Sequence, residues 1–306
     1  MSEPVCLSWE HGKKYRLLLG PILSAGISLF AYRRRSLSPS GVVGAVMTGT
    51  TTFGLGGWAW GLALIFFFIS SSALSHFRER DKAHIADDKF SKGSQRDLGQ
   101  VAANGGAATL LALAYGMTRS PLLRQSLQAG YVGVLATATA DTWATEIGVL
   151  SPHLPRLITT GRRVSPGTSG GVTPLGTATA ALGALILGTV FWMLQRCRTS
   201  LVFLPPLALV SGLAGSLSDS LLGATVQAMY YCPACDKETE RRTHSCGTKT
   251  RPLRGLPWLN NDAVNFIATL CGGLVAMAMH LIYRRTIKPL ASAMEGTPRR
   301  SRKPPP

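Results

Sequence analysis

Long apolar stretches separated by short basic links set the organisation of this chain. A helix that crosses a bilayer needs roughly 17–25 predominantly apolar residues. Eight segments meet or approach that length: about 17–32, 40–55, 57–75, 98–117, 127–149, 172–194, 201–229 and 261–283. The second is short and rich in Gly and Thr between Gly41 and Gly54. It reads as one arm of a hairpin that turns at Gly54-Leu55-Gly56-Gly57 and returns along the third segment. The pattern therefore predicts an all-α integral membrane protein of about eight transmembrane helices within residues 1–285. Residues 286–306 form a basic tail whose lack of apolar content predicts disorder.

Composition and charge refine this picture. Hydrophobic residues make up 46% of the 306 and charged residues only 15%, against roughly 25% charged in soluble domains. The net charge of +17 is scattered through the links between apolar segments, which is how topology determinants are placed and argues against nucleic-acid binding. Three polar loops, 76–97, 151–171 and 231–260, emerge on one side if segments two and three form a hairpin. That side carries the larger share of Lys and Arg, so the loops are expected in the cytosol. Met1–Tyr32 has a basic stretch and an apolar run but no small-residue cleavage site, and reads as a retained first span. The expected location is the endoplasmic reticulum or another internal membrane.

Three acidic residues interrupt the apolar pattern. Asp141 and Glu146 fall within the fifth segment, and Asp219 lies in Ser218-Asp219-Ser220 of the seventh. An acid at mid-membrane costs about 2.5–3.5 kcal/mol on insertion scales, which makes each a functional candidate. On a helix Asp141, Thr145 and Gly148 share one face, and Gly212, Ser216, Asp219 and Gly223 share another. Small and hydroxyl-bearing residues on such faces allow close helix approach and hydrogen bonding. The alternative is a purely structural carboxylate held by Ser and Thr partners.

Between segments five and six lies Arg162-Arg163-Val164-Ser165-Pro166-Gly167-Thr168-Ser169-Gly170-Gly171-Val172-Thr173. Backbone N–H groups of a run such as Gly167, Thr168, Ser169, Gly170 and Gly171 form anion-binding concavities, and a helix beginning near Pro174 adds a positive end. Arg162 and Arg163 can supply charge-assisted bonds to phosphate. The same composition also suits a flexible linker. Carboxylates for Mg²⁺, a Gly-rich loop and arginines together form a minimal set for phosphoryl transfer. Walker A and protein-kinase signatures are absent.

The third loop carries Cys232-Pro233-Ala234-Cys235 followed by His244-Ser245-Cys246. Three cysteines and a histidine at this spacing suit a closed, structural Zn²⁺ site, with a redox dithiol or free thiols as the alternatives. Asp262 is placed to cap the last helix, with a third acidic ligand on the loop face as the alternative, and Asn104 to donate a hydrogen bond to a neighbouring helix.

Several motifs resemble one family closely: Ser36-Leu37-Ser38-Pro39-Ser40-Gly41, Phe53-Gly54-Leu55-Gly56-Gly57-Trp58, Ala140-Asp141-Thr142-Trp143-Ala144-Thr145-Glu146-Ile147-Gly148, Pro166-Gly167-Thr168-Ser169-Gly170-Gly171 and Asp219-Ser220-Leu221-Leu222-Gly223-Ala224. Over about Ser36 to Tyr283 the chain is similar to the transmembrane protein 19 family. The resemblance implies a multi-span membrane protein whose plant relatives include the chloroplast phytyl-phosphate kinase of tocopherol synthesis. A weaker likeness links Asp-Thr-x-Ala and the Gly/Thr-rich loop to CTP-dependent polyprenol kinases such as dolichol kinase. Pro166-Gly167-Thr168 departs from that group's loop, so the nucleotide, CTP or another, stays open. The implied function is an isoprenyl-monophosphate kinase, with Asp141, Glu146 and Asp219 holding Mg²⁺, and Arg162, Arg163 and Gly167–Gly171 binding phosphates. Its partners would be the lipid bilayer, an isoprenoid phosphate and a nucleotide. The rival expectations are a transporter with intramembrane acidic coupling sites and a membrane scaffold that docks a partner through the third loop.

Overall fold

The computed structural model describes residues 5–86, 95–195 and 202–287. The expected tail disorder and the basic link at Arg196–Arg198 fall outside them, as does most of the tail. Every one of the eight apolar segments coincides with a helix. These are α1 (Val5–Arg33), α2 (Pro39–Thr51), α3 (Trp58–His76), α5 (Leu98–Met117), α6 (Pro121–Gly148), α7 (Pro174–Leu194), α8 (Leu204–Thr225) and α9 (Asn261–Ile282). A short polar helix, α4 (Glu79–Ala86), follows α3.

Local chemistry marks the helix starts. Ser38, Ser120 and Thr173 accept from the backbone N–H of Gly41, Leu123 and Gly176, each with proline in the first turn of the helix. Asp97 and Gln100 form a reciprocal capping box at α5. Asn260 caps α9 by accepting from Ala263 N–H. Asp262, expected to cap that helix, lies inside its first turn instead, because Asn260 already supplies the oxygen at the cap position. After Thr51 the backbone widens into a π-helical turn, Thr52–Gly56, and Gly57 at φ 95° reverses the chain into α3. Only glycine adopts that angle without strain, and the chain turns at Gly54–Gly57 as expected; α2 does not return along α3 as a paired hairpin arm but packs chiefly on α1 and α5.

α6 is the axis of the bundle. Ala129, Val132, Val134, Leu135, Ala136 and Ala140 have no exposed surface, and α6 packs against α3, α5, α7, α8 and α9. Tyr131 stacks on Trp60 with ring centroids 4.0 Å apart and donates its hydroxyl to the Trp60 carbonyl at 2.7 Å. Glycines bring the neighbouring backbones close. A Cβ on Gly212 would meet the Ala136 carbonyl at 3.0 Å, and one on Gly215 would meet Thr137 Cβ at 2.8 Å.

Among the described residues five helices are long and apolar enough to cross a membrane on their own: α1, α3, α7, α8 and α9. The remaining long segments differ for physical reasons. α6 is wrapped by other helices and carries small and polar residues, whereas α2 has only 13 residues before the π-turn. Large apolar side chains point outward, among them Leu18, Ile22, Ile69, Leu274 and Ile282. Such a surface is unfavourable in water and matched in lipid.

The three polar loops gather at one end of the bundle. The ends of α1 and α3, the starts of α5, α7 and α9, and the ends of α6 and α8 all meet there. Loop two contains a small antiparallel pair, β1 (Arg156–Leu157) and β2 (Gly171–Val172). Loop three contains a three-stranded sheet, β3 (Met229–Cys232), β4 (Lys237–Thr239) and β5 (Arg251–Arg254), in the order β4-β3-β5.

Close approach of α6 and α8 makes a testable demand. Gly215→Val overpacks against Thr137 and is expected to lower stability by about 1–3 kcal/mol. Gly26 on α1 has nothing within 4 Å of a built Cβ, so Gly26→Ala leaves stability level or raises it. Thermal unfolding in detergent compares the two; equal losses would show that the α6–α8 contact is not the tight one.

Candidate active site

The loop end encloses a polar cleft of about 410 Å³. The close α6–α8 contact delivers its acidic wall. One turn beyond Gly212, Ser216 donates its hydroxyl to Asp141 Oδ1 at 3.3 Å, and Asp219, one turn beyond Gly215, follows on the same face. Asp219 Oδ2 is buried and has no hydrogen-bond partner among the described residues. A buried acceptor left unpaired is costly, and Asp219 lines the cleft together with Asp141, Thr142, Ser216 and Ser220. An all-oxygen donor set with two carboxylates fits a hard cation such as Mg²⁺.

Glu146 lines the same cleft in a different state. Ser75 donates to its Oε1 at 2.6 Å, and Lys82 of α4 forms an ion pair with its Oε2. The Lys82 ammonium also donates to the Leu74 and Ser75 carbonyls at 2.7 and 3.0 Å. Both side chains are largely buried, at 11% and 22% exposure. Glu146, grouped with the aspartates in the sequence, is thus committed to an ion pair that fixes Lys82 in the wall.

The Gly-rich loop forms a further wall. Gly167 through Gly171 all line the cleft, with Gly167 and Gly170 at φ 75° and 81°. The loop is fastened to the end of α8: a Cβ on Gly170 would meet Ala224 N at 2.7 Å, and Ser169 donates to Gln227 Oε1 at 2.8 Å. Gln227 in turn donates to Glu240 Oε1 at 2.9 Å. The starts of α5, α7 and α9 also face the cleft through Gln100, Thr173 and Asn261. Each helix start carries partial positive charge.

Arg162 and Arg163 are both exposed and stand outside the cleft lining. They follow the tight turn at Gly161, φ 68°, where the hairpin leads the chain away from the cleft before Pro166 brings it back. The cations in the wall are Lys82 and Arg96, which sequence reasoning missed because each lies outside the apolar segments, in a loop full of other cations. Burial lowers Arg96 to about 10, with Glu146 acting in the other direction, so it stays cationic at neutral pH. Asn104, expected to reach a neighbouring helix, donates instead to the Gln100 carbonyl of its own helix at 3.1 Å and lines the cleft.

Loop three assembles the cysteine and histidine set. The ligand atoms of Cys232, Cys235, His244 and Cys246 lie within 4.8 Å of one another. Cys232 and Cys235 sit in the β3–β4 turn, where Asp236 adopts φ 52°, and His244 and Cys246 in a second turn closed by Gly247 at φ 83°. Hydrogen bonds from Thr248, then from His244 and Cys235, pull the Cys246 thiol down to about 6. Hydrogen bonding to Cys246 and burial push Cys235 up to about 11. A cluster that shares protons in this way could hold a metal ion.

The model of the family described as integral membrane protein DUF92 matches residues 22–273, and the chain belongs to that family. It is 33% identical over 279 residues to Protein PGR of Arabidopsis thaliana, which covers 85% of this chain and 95% of the relative. To an uncharacterized membrane protein of Methanocaldococcus jannaschii it is 29% identical over 274 residues, 87% of this chain and 94% of the relative. It is also 27% identical over 246 residues to Protein VTE6, chloroplastic, of Arabidopsis thaliana, 79% of this chain and 65% of the relative. These similarities agree with the transmembrane protein 19 resemblance carried by the motifs. No solved structure matches the chain.

The Lys82–Glu146 pair yields a second test. Lys82→Met leaves a largely buried carboxylate without its cation, and removing one partner of such a pair destabilises by about 3–5 kcal/mol. Adding Glu146→Gln should recover much of that loss. Thermal unfolding of the singles and the double forms the cycle; losses that simply add would show the two side chains to be independent.

Proposed function

We propose that this DUF92 family member is a prenyl-phosphate kinase that transfers a phosphoryl group from a nucleoside triphosphate to an isoprenoid monophosphate at the membrane surface. The observation that carries this reading is the pairing, in one cleft, of a buried, unpartnered Asp219 oxygen beside Asp141 with a wall of cations and helix starts. The motif resemblance to a family containing phytyl-phosphate kinase supports the same reaction class.

The step balances without a strong base. An oxygen of the prenyl monophosphate attacks the γ-phosphorus, and the bond from that phosphorus to the β,γ-bridging oxygen breaks. The bridging oxygen keeps the electron pair and leaves with the nucleoside diphosphate; the product is a prenyl diphosphate. The second ionisation of a phosphate monoester lies near 6, so the attacking oxygen is already anionic at neutral pH. The protein's task is positioning and charge neutralisation. Asp141 and Asp219 would hold Mg²⁺, whose charge offsets that of the phosphates. Lys82, oriented by Glu146, and Arg96 would bind phosphate oxygens, and Gly167–Gly171 with the start of α7 would receive the remainder. Arg162 and Arg163 are left to meet the polar end of an incoming nucleotide outside the cleft.

In this reading all eight long helical segments traverse or enter an internal membrane, and the loop end faces the cytosol, where nucleotide is available. Zn²⁺ in the Cys232, Cys235, His244 and Cys246 set would be structural, because loop three has too little core to fold without help.

Three measurements test these statements. Asp141→Asn and Asp219→Asn keep the side-chain shape and remove the charge; prenyl-diphosphate formation should fall at least about 100-fold while thermal stability stays level. Full activity in both variants sinks the kinase reading, and a stability loss of about 1–3 kcal/mol with proportionate activity loss favours a structural carboxylate. Glycosylation acceptor sites inserted after Gly161 and after Lys249 should stay unmodified in cells; modification of either places the loop end in the lumen. Purified protein should contain one zinc per chain, lost in Cys232→Ser, and metal-free protein with four freely modified side chains would remove the site.

A further inference from the structure

Beside the polar cleft lies a second cavity of about 300 Å³ between α1, α2, α3 and α5, walled by apolar side chains such as Ile27, Ala45, Leu64 and Phe68. Three residues line both cavities: Arg96, Gln100 and Asn104. The two spaces therefore meet at one polar collar.

Arg96 is fixed in that collar. Its N–H donates to the Ser36 carbonyl at 3.0 Å, and Ser38 N–H donates to the Arg96 carbonyl at 3.0 Å. Its guanidinium lies over the rings of Phe67 and Phe68, with centroids 5.8 and 5.7 Å away. Among the described residues no carboxylate reaches ion-pair distance of it. A cation held by aromatic rings on the apolar side, and open to the cleft on the other, marks a boundary between a hydrocarbon environment and an anionic one.

We propose that the apolar slot holds the hydrocarbon tail of the prenyl monophosphate, with Arg96 at the junction between tail and phosphate. The proposal rests on the kinase reading and adds the place and polarity of the lipid substrate. From Phe68 back to Trp58 the slot follows α3 for about 15 Å at the helical rise per residue, roughly half of a bilayer's hydrocarbon thickness of about 30 Å. Leu23, Ile27 and Leu62 border it with 40%, 37% and 39% exposure on the outer surface of the bundle. The slot is thus open sideways to lipid, and a long tail can enter from the bilayer without crossing water. Bilayer and slot are similarly apolar, so the slot contributes orientation more than affinity. It points the phosphate through the collar at the cleft.

The test uses the full chain in lipid nanodiscs and geranylgeranyl monophosphate carrying a diazirine at its tail end. Photolysis should label residues of the slot, and unlabelled geranylgeranyl monophosphate should suppress that labelling. Ala45→Trp, which fills the slot, should lose it while still phosphorylating dimethylallyl monophosphate, whose tail is too short to need the slot. Leu274→Trp, on the outer face of α9, should keep both. Labelling confined to other faces of the bundle, or unaffected by competitor, overturns the proposal; the unaltered chain alone decides this if Ala45→Trp fails to fold. Transfer to geranylgeranyl monophosphate with labelling elsewhere leaves the kinase reading standing and removes the slot. Slot labelling without transfer of phosphate to any prenyl monophosphate does the reverse.

Discussion

A carboxylate within an apolar bundle is tolerated only where the packing around it supplies partners or a polar space, and here the α6–α8 contact supplies both. Gly212 and Gly215 let α8 press against Ala136 and Thr137. That contact fixes the rotation of both helices, so that Asp141 and Asp219 emerge one turn later on a shared wall. Every other part of the cleft is arranged around this pair. α6 can hold its place because all five neighbouring helices cover it, and its small residues allow them to approach. The polar character that makes α6 a poor lipid-facing span is what makes it the axis.

Charge is then sorted by helix direction. α6 and α8 end at the cleft and bring the carboxylates, whereas α5, α7 and α9 begin there and bring N-terminal partial positive charge. Lys82 and Arg96 add full charges from the loop side. The result is a negative wall next to a positive one, which is the arrangement a metal–polyphosphate complex needs. Glu146 belongs to the positive wall in effect, because its charge is spent on orienting Lys82.

Much of this was legible in the chain. Long apolar runs located the eight long helical segments, five of which are long and apolar enough to span a membrane on their own among the described residues. The turn at Gly54–Gly57 was legible because only glycine accepts the reversal angle at Gly57. The acidic residues and the Gly167–Gly171 loop stood out as departures from an apolar background. Lys82 and Arg96 did not, because a cation in a polar loop looks the same whether it faces solvent or a cleft. Arg162 and Arg163 stand outside the cleft lining for a related reason: adjacency in sequence to the Gly-rich loop does not survive the turn at Gly161. Asp262 and Asn260 differ by two positions, and only backbone geometry reveals which of them caps α9.

Loop three ties its cysteine–histidine cluster to the cleft through a short chain of contacts. β4 runs from the Cys232–Cys235 turn to Thr239, and the next residue, Glu240, lines the cleft and accepts from Gln227. Gln227 is buried and holds Ser169 of the Gly-rich loop. On the other edge of the sheet, Arg254 of β5 donates to the Gly223 carbonyl at 2.8 Å, satisfying a carbonyl in the last turn of α8 just beyond Asp219. The sheet is only three strands wide and too small to be stable without a further constraint. If the cysteine and histidine turns were free to open, Glu240, Gln227 and Arg254 would lose their registration, and the Gly-rich loop would lose its anchor on α8. A metal ion clamping those turns would therefore act on the cleft at a distance, by keeping the Gly-rich wall at a fixed spacing from the two aspartates.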